Sequence, residues 1–599
     1  MTTSAHQAQT AEARSSRAST QAVDQCFICE QSVFMSFFFD ALGHDRIPDE
    51  AANRMSNAAK LYRAHRIKDE SKGIYPFYYE GLGTDLRDAP GMKAALVEAG
   101  QATLKQAGQE AVGHVTGEVK EAGKTIAKEV ALGASAKLST HAAINTLPDK
   151  VGSKALNPKE YLGGMASGLL GTVIDVFPAI RDDRYSASLL NTGAKSRIEK
   201  ALSDFDKTLK AQTLKVNVVQ IAVFGADRGG SIARAFINEL IEKKCKEVDG
   251  KLMVDTPRGK AELQIKFVGL FDCQAVVWQP GGVWGILGMK KALAFVVGLI
   301  TGSSMRDKFK LNLPHHVEKA VHYVAANETR AIAAIDAIVP LGKAQHMLEM
   351  IWPGSQHDAI AGLAPKERGK LVDLARLPAR KMLYEARAAG VPIYEPEQLF
   401  KLDEKIFQQF ELESRVQVPD RNLPSSIIPL YQAWKRDAGI SDNMPLDKAL
   451  SAAQCFYLGF LRLQHEVSPT QTSQRAAFQA RTLHQRGSSY TTAAERTLLA
   501  AWSNPIKPSN EALALYAYFM HAAHLDWRND LAMQDMDIMT VRGMTGTEPG
   551  LLEKIHEARD SVPAEVRERR YQRMQHRLEE QDRQREAARQ KDRERAGIR

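Results

Sequence analysis

The run Val218-Val219-Gln220-Ile221-Ala222-Val223-Phe224 is apolar and largely β-branched or aromatic. It ends at Gly225-Ala226-Asp227-Arg228-Gly229-Gly230 and passes at once into a helix pattern beginning Ser231-Ile232-Ala233-Arg234. A strand, a sharp turn flanked by glycines and a helix, in that order, have the layout of a nucleophile elbow. Such an elbow holds one side chain on a strained turn at the top of a parallel sheet. Bulk at Gly225 or Gly229 would collide with neighbouring backbone. Enzymes that hydrolyse acyl esters carry serine at the apex, and this chain carries Asp227.

Further strands and helices alternate around this element. Val33 to Asp40 reads as a buried first strand, Leu263 to Phe271 as a second clear one ending at Asp272, and Val317 to Ala325 and Met347 to Trp352 as two more. Leu371 to Ala389 reads as a helix capped by Gly390. Strand–helix alternation of this kind predicts an α/β fold with a mostly parallel sheet covered by helices. Residues 1–30 read as a disordered leader and 31–400 as the α/β domain. Within it, 91–180, rich in Ala, Gly, Lys and Glu, reads as a helical insertion. Residues 401–560 read as a helical C-terminal region and 561–599 as a charged helical tail.

With 599 residues, 44% of them hydrophobic and 25% charged, the chain can bury a large core. A formal charge of +9 is modest for that length; it permits attraction to anionic lipid or nucleic acid but argues for neither, and no nucleic acid is expected. Cys26, Cys29, Cys245, Cys273 and Cys455 form no disulfide framework. Cys26 and Cys29 have CxxC spacing but no second pair nearby, so no metal and no cofactor is expected. The N-terminus has no apolar signal core, which predicts cytoplasmic synthesis without a cleaved signal. The most apolar stretch, Gly281 to Gly302, is interrupted by Lys290 and Lys291, and its longest uninterrupted apolar run is too short to span a bilayer.

Seven motifs in order resemble the type VI secretion lipase effectors of the first class, bacterial phospholipases with an α/β-hydrolase domain. Phe38-Phe39-Asp40-Ala41-Leu42-Gly43-His44-Asp45 resembles the opening FFDGTGNN, and Ser56-Asn57-Ala58-Ala59-Lys60-Leu61-Tyr62 the helix SN-x-A-x-LY. Tyr78 to Thr84 resembles YY-x-x-G-x-GT, and the elbow GFSRGAAAAR. Gly269-Leu270-Phe271-Asp272 matches the start of GLFDT, Val317 to Arg330 resembles VAxDERR, and Trp352 to Asp358 resembles WFPGVHSD. The resemblance spans roughly 33–400, and Tyr518-Phe519-Met520-His521 is similar to a later YVHDS element.

The resemblance implies a serine at the elbow, an aspartate at the strand end and a histidine in PGVHSD. In this chain the acid survives as Asp272, the nucleophile position holds Asp227, and the base position holds Gln356, with His357 one residue along. Ala41 and Leu42 stand where the oxyanion loop has Gly and Thr, and Arg228 follows the apex. Loss of a triad serine or histidine costs on the order of 10⁶ in turnover, so a serine-type phospholipase is excluded. Asp227 reads as a helix N-cap, with Arg228 and Arg234 as candidate partners, and Ser231 as a packing residue.

Three readings stay open. The first is a catalytically inactive or very weak effector-like protein that acts as an interaction or regulatory partner in interbacterial antagonism, bound to a secretion spike or an active paralogue. The second is an Asp-type hydrolase using Asp227, Asp272 and His357. The third is a module that docks on anionic lipid through Trp284, Lys290, Lys291 and Phe295. These imply export by the type VI system or a place at the membrane surface.

Overall fold

The computed structural model describes residues 30–87, 191, 193–275, 305–328, 334–338, 346–361, 372–412, 426–442, 444–486, 491–520, 538–539, 541–542 and 544–545. The leader up to residue 29, the insertion at 91–180, the Gly281–Gly302 stretch with Trp284, Lys290, Lys291 and Phe295, the charged tail, Cys26, Cys29 and His521 lie outside them, as does the side chain of His357.

The strands are β1 (Glu30–Phe39), β2 (Ile74–Tyr79), β3 (Lys215–Ala226), β4 (Cys245–Val248), β5 (Lys251–Thr256), β6 (Gly259–Phe271), β7 (Ala320–Ala325), β8 (Ile335–Asp336), β9 (Met347–Trp352) and β10 (Met544–Thr545). Six of them run parallel in the order β2-β1-β3-β6-β7-β9. The second half of β6 pairs with β7, while its first half takes the antiparallel hairpin β4–β5. The sheet is therefore mixed but mostly parallel, as expected. The short, charged hairpin is an addition the sequence pattern did not reveal. The strand expected from Val317 begins at Ala320, because Pro314 to Val317 form a turn closed by the Val317 N–H on the Pro314 carbonyl.

Both faces of the sheet are covered, which is why its strands read as nearly continuous apolar runs. On β3, Val219, Ile221 and Val223 bury against one face, and Ala222, Phe224 and Ala226 against the other, the period of two a strand imposes. The first face carries the buried stripes of two helices. These are Ile198, Ala201, Leu202 and Phe205 of Ala194–Lys210, and Ile232, Ala233, Phe236 and Ile237 of the helix that follows the elbow, Arg228–Lys244. The second face carries helices Asn57–Ala64 and Asp373–Ala388. Its cluster continues without a break into the C-terminal helices Ile427–Asp437, Leu446–Val467 and Ala493–Ser503, through residues such as Trp434, Phe456 and Leu498. Phe38 and Phe224, on neighbouring strands, stack with ring centroids 4.7 Å apart. No helix among the described residues is long and apolar enough to cross a membrane.

Every parallel strand points the same way, so Asp40, Asp227, Asp272, Asn327 and Gln356 all follow carboxyl ends and gather along one edge of the sheet. Crevices at that edge are where open α/β sheets bind ligands.

Candidate functional site at the carboxyl edge of the sheet

The elbow has the geometry its sequence predicts. Asp227 sits at φ 53°, ψ −123°, a conformation costly for a residue with a Cβ. A Cβ on Gly225 would lie 2.5 Å from the Gly230 Cα, and one on Gly229 would lie 2.3 Å from the Asp40 carbonyl oxygen. Both glycines are therefore required by close backbone approach. The Asp227 N–H donates to the Phe271 carbonyl at 2.8 Å, which ties the apex to the end of β6.

The Asp227 side chain does not cap the helix. An N-cap needs extended backbone to aim its carboxylate at the next N–H groups, and the left-handed φ swings it away, so no capping bond forms. Its Oδ2 instead accepts from the Leu42 N–H at 3.2 Å, and its Oδ1 from the Gln356 Nε2 at 2.9 Å. The Leu42 N–H of the loop after β1 thus faces the elbow, and the apical carboxylate of the chain itself occupies it. Asp227 and Gln356 are both buried. The Gln356 N–H donates in turn to Glu328 Oε2 at 3.2 Å, which fixes the start of its short helix, Gln356–Ile360.

The opening loop is held from behind by Asp40. Its carboxylate accepts from the Ala41 N–H at 2.8 Å and from the hydroxyls of Ser56 and Tyr78. Burial raises the Asp40 pKa from its ordinary value, and His44, Ser56 and Tyr78 only partly oppose it.

Asp272, expected from the sequence at the position of a triad acid, is fully buried at φ 49° and has a partner the sequence did not suggest. Arg542 grips it bidentately, Nη1 to Oδ1 at 2.6 Å and Nη2 to Oδ2 at 2.7 Å. The Ala325 N–H adds a bond to Oδ1 at 2.8 Å, and Arg542 Nη1 also donates to the Ala325 carbonyl at 2.9 Å. Arg542 is delivered by a segment held at both ends. Ile538 bonds the side chains of Gln454 and Gln479, and β10 pairs in parallel with β8. A guanidinium therefore engages both carboxylate oxygens of Asp272. Among the described residues no imidazole hydrogen-bonds Asp227 or Asp272.

The remaining candidates are structural. Arg234 spends its guanidinium on Asp336, with Nη1 2.7 Å from Oδ2, and on the Leu311 and Ala337 carbonyls, so it is no partner for Asp227. Ser231 donates to the Gln274 carbonyl at 2.9 Å from inside the helix. Arg228 is buried directly after the apex. Cys273, beside Asp272, packs so closely on Gly230 that a Cβ there would lie 2.2 Å from its sulfur. Burial pushes the Cys273 thiol well above its ordinary range, so it is no thiolate nucleophile at neutral pH.

No family model matches the chain, and no curated protein matches it. Among solved structures, it is similar to an uncharacterized protein from Pseudomonas aeruginosa, with 17% identity and a TM-score of 0.43 over 88% of this chain. It spans 65% of the length of that protein. It is also similar to the Tle1 effector bound to the VgrG spike of the type 6 secretion system, with 12% identity and a TM-score of 0.33 over 71% of this chain and 84% of that one. Likenesses this distant bear on neither activity nor partner.

Proposed function

We propose that this chain is a catalytically silent protein on an α/β-hydrolase framework of the type VI phospholipase-effector kind, acting through protein contacts in interbacterial antagonism. The observation that carries the reading is the mutual satisfaction of the catalytic positions. Asp227 is bonded to the oxyanion-loop donor and to Gln356, and Asp272 to Arg542. A nucleophile needs a base within hydrogen-bond reach and a free oxyanion donor, and here both places are taken.

The Asp-type hydrolase reading requires an imidazole oriented by Asp272, and Arg542 disfavours it. The lipid-docking reading rests on Trp284, Lys290, Lys291 and Phe295 and gains no support from the carboxyl-edge geometry. The motifs nominate a secretion spike or an active paralogue as the partner.

A reinstatement series tests the proposal. Wild type and Asp227→Ser with Gln356→His should both stay at the blank rate on short acyl esters, because the new histidine has no free acid behind it. Adding Arg542→Gln should release Asp272 and give measurable hydrolysis. Turnover by the wild type, abolished by Asp227→Asn with incorporation of solvent oxygen into Asp227, would replace the proposal with an Asp-type hydrolase.

A further inference from the structure

At the opposite edge of the sheet, where β7 begins, three side chains converge that no motif brought together. Pro314-His315-His316-Val317 form a turn closed by the Val317 N–H on the Pro314 carbonyl at 3.2 Å. The turn is pinned to β6 by the Ile265–Val317 bridge and by the Glu318 N–H on the Ile265 carbonyl at 2.9 Å. Leu313 and Val317 bury on either side of it. The two imidazoles therefore rise from a fixed base. Glu247 faces them from β4.

The His315 and His316 ring centroids are 3.8 Å apart, and His316 Nε2 lies 3.7 Å from Glu247 Oε1. One donor atom from each of the three residues falls within 4.8 Å of the others. Among the described residues, neither ring nitrogen of His316 has a hydrogen-bond partner, although both are shielded from solvent. A histidine of purely packing value would bond at least one of them.

We propose that Glu247, His315 and His316 form a binding site for a divalent transition metal, with zinc the ion that fits best. Two imidazole nitrogens and one carboxylate oxygen are a donor set zinc accepts, leaving a fourth position for water. Calcium and magnesium want more oxygens. With bonds of about 2.0–2.2 Å, tetrahedral donors stand roughly 3.3–3.6 Å apart. The His316–Glu247 pair is almost at that spacing, and the exposed side chains of His315 and Glu247 can rotate to close the rest. A bound ion would clip the β4–β5 hairpin to the β6–β7 connection, at the far end of the strands from Asp227.

The test uses the full chain stripped with a chelator and titrated with zinc by calorimetry and with cobalt by visible absorption. One ion per chain is expected, with a cobalt d–d spectrum free of thiolate charge-transfer absorption. Affinity should fall roughly tenfold or more in Glu247→Gln and in His315→Ala, both surface changes, and further in His316→Ala. Saturating zinc should raise the melting temperature of the wild type and not of His315→Ala with Glu247→Gln. Unchanged stoichiometry and affinity in these variants, a thiolate–cobalt band, or no saturable binding would overturn the proposal.

Discussion

Replacing Arg542 with methionine tests the least expected contact in the molecule. The substitution keeps much of the side-chain volume and removes the guanidinium from a carboxylate that is fully buried. Asp272 would keep only the Ala325 N–H. Leaving one member of a buried pair uncompensated costs about 3–5 kcal/mol. With a urea slope of about 3 kcal/mol/M, the midpoint should drop by roughly 1–1.7 M, read from the fluorescence of buried Trp352 and Trp434. Asp272→Asn in the Arg542→Met background removes the stranded charge. The double variant should recover at least about 1 kcal/mol over the sum of the single losses. A loss under about 1 kcal/mol with no coupling would mean that the bidentate pair does not form, and that Asp272 is free to orient a base.

Other outcomes follow from the same geometry. His65 is neutral, with Nε2 bonded to Ser36 Oγ and Nδ1 to the Arg66 carbonyl, and burial lowers its pKa from 6.5 to about 4. Below pH 6.5 the unfolded chain takes up a proton that the fold refuses, so stability should fall by about 3 kcal/mol as pH drops from 6.5 to 4. Urea midpoints measured across that range should show the loss, reduced in His65→Gln. Lys60 is buried with a single weak bond to Asn57, and burial, then Arg376, lowers its pKa to about 7. Lys60→Met should therefore raise the urea midpoint at pH 6 to 7, where the unfolded lysine is charged and the fold penalises that charge, and the gain should shrink as pH rises above 7 toward 10.5. Asp227→Gly should relieve backbone strain of about 1–3 kcal/mol and leave the Leu42 N–H and the Gln356 amide facing an empty cradle. Added formate should bind there, seen as a rise in melting temperature that the wild type does not show.

The elbow, the first strand and the strand ending at Asp272 were legible because a buried parallel strand is an apolar run and because Gly225 and Gly229 mark close backbone approach. The direction of the Asp227 side chain was not legible. A sequence shows an aspartate before a helix, whereas the left-handed φ that denies it the cap is set by the sheet. The motif spacing put Gln356 at the base position but left open whether it or His357 faces inward. Arg542 gave no signal, since it lies 270 residues from its partner in a short methionine-rich stretch without a motif, and the anchoring of Ile538 and the β10–β8 pairing bring it to the site. The β4–β5 hairpin escaped because its strands are short and charged, and with it went the meeting of Glu247 with His315 and His316.

The most direct measurement is fatty-acid release from mixed zwitterionic and anionic phospholipid vesicles by the purified full chain, beside Asp227→Asn and Asp272→Asn. With Asp227 bonded to Leu42 and Gln356, and Asp272 held by Arg542, all three proteins should match the protein-free blank. Release by the wild type alone, lost in both variants, would contradict the claim that this carboxyl edge has no hydrolytic chemistry.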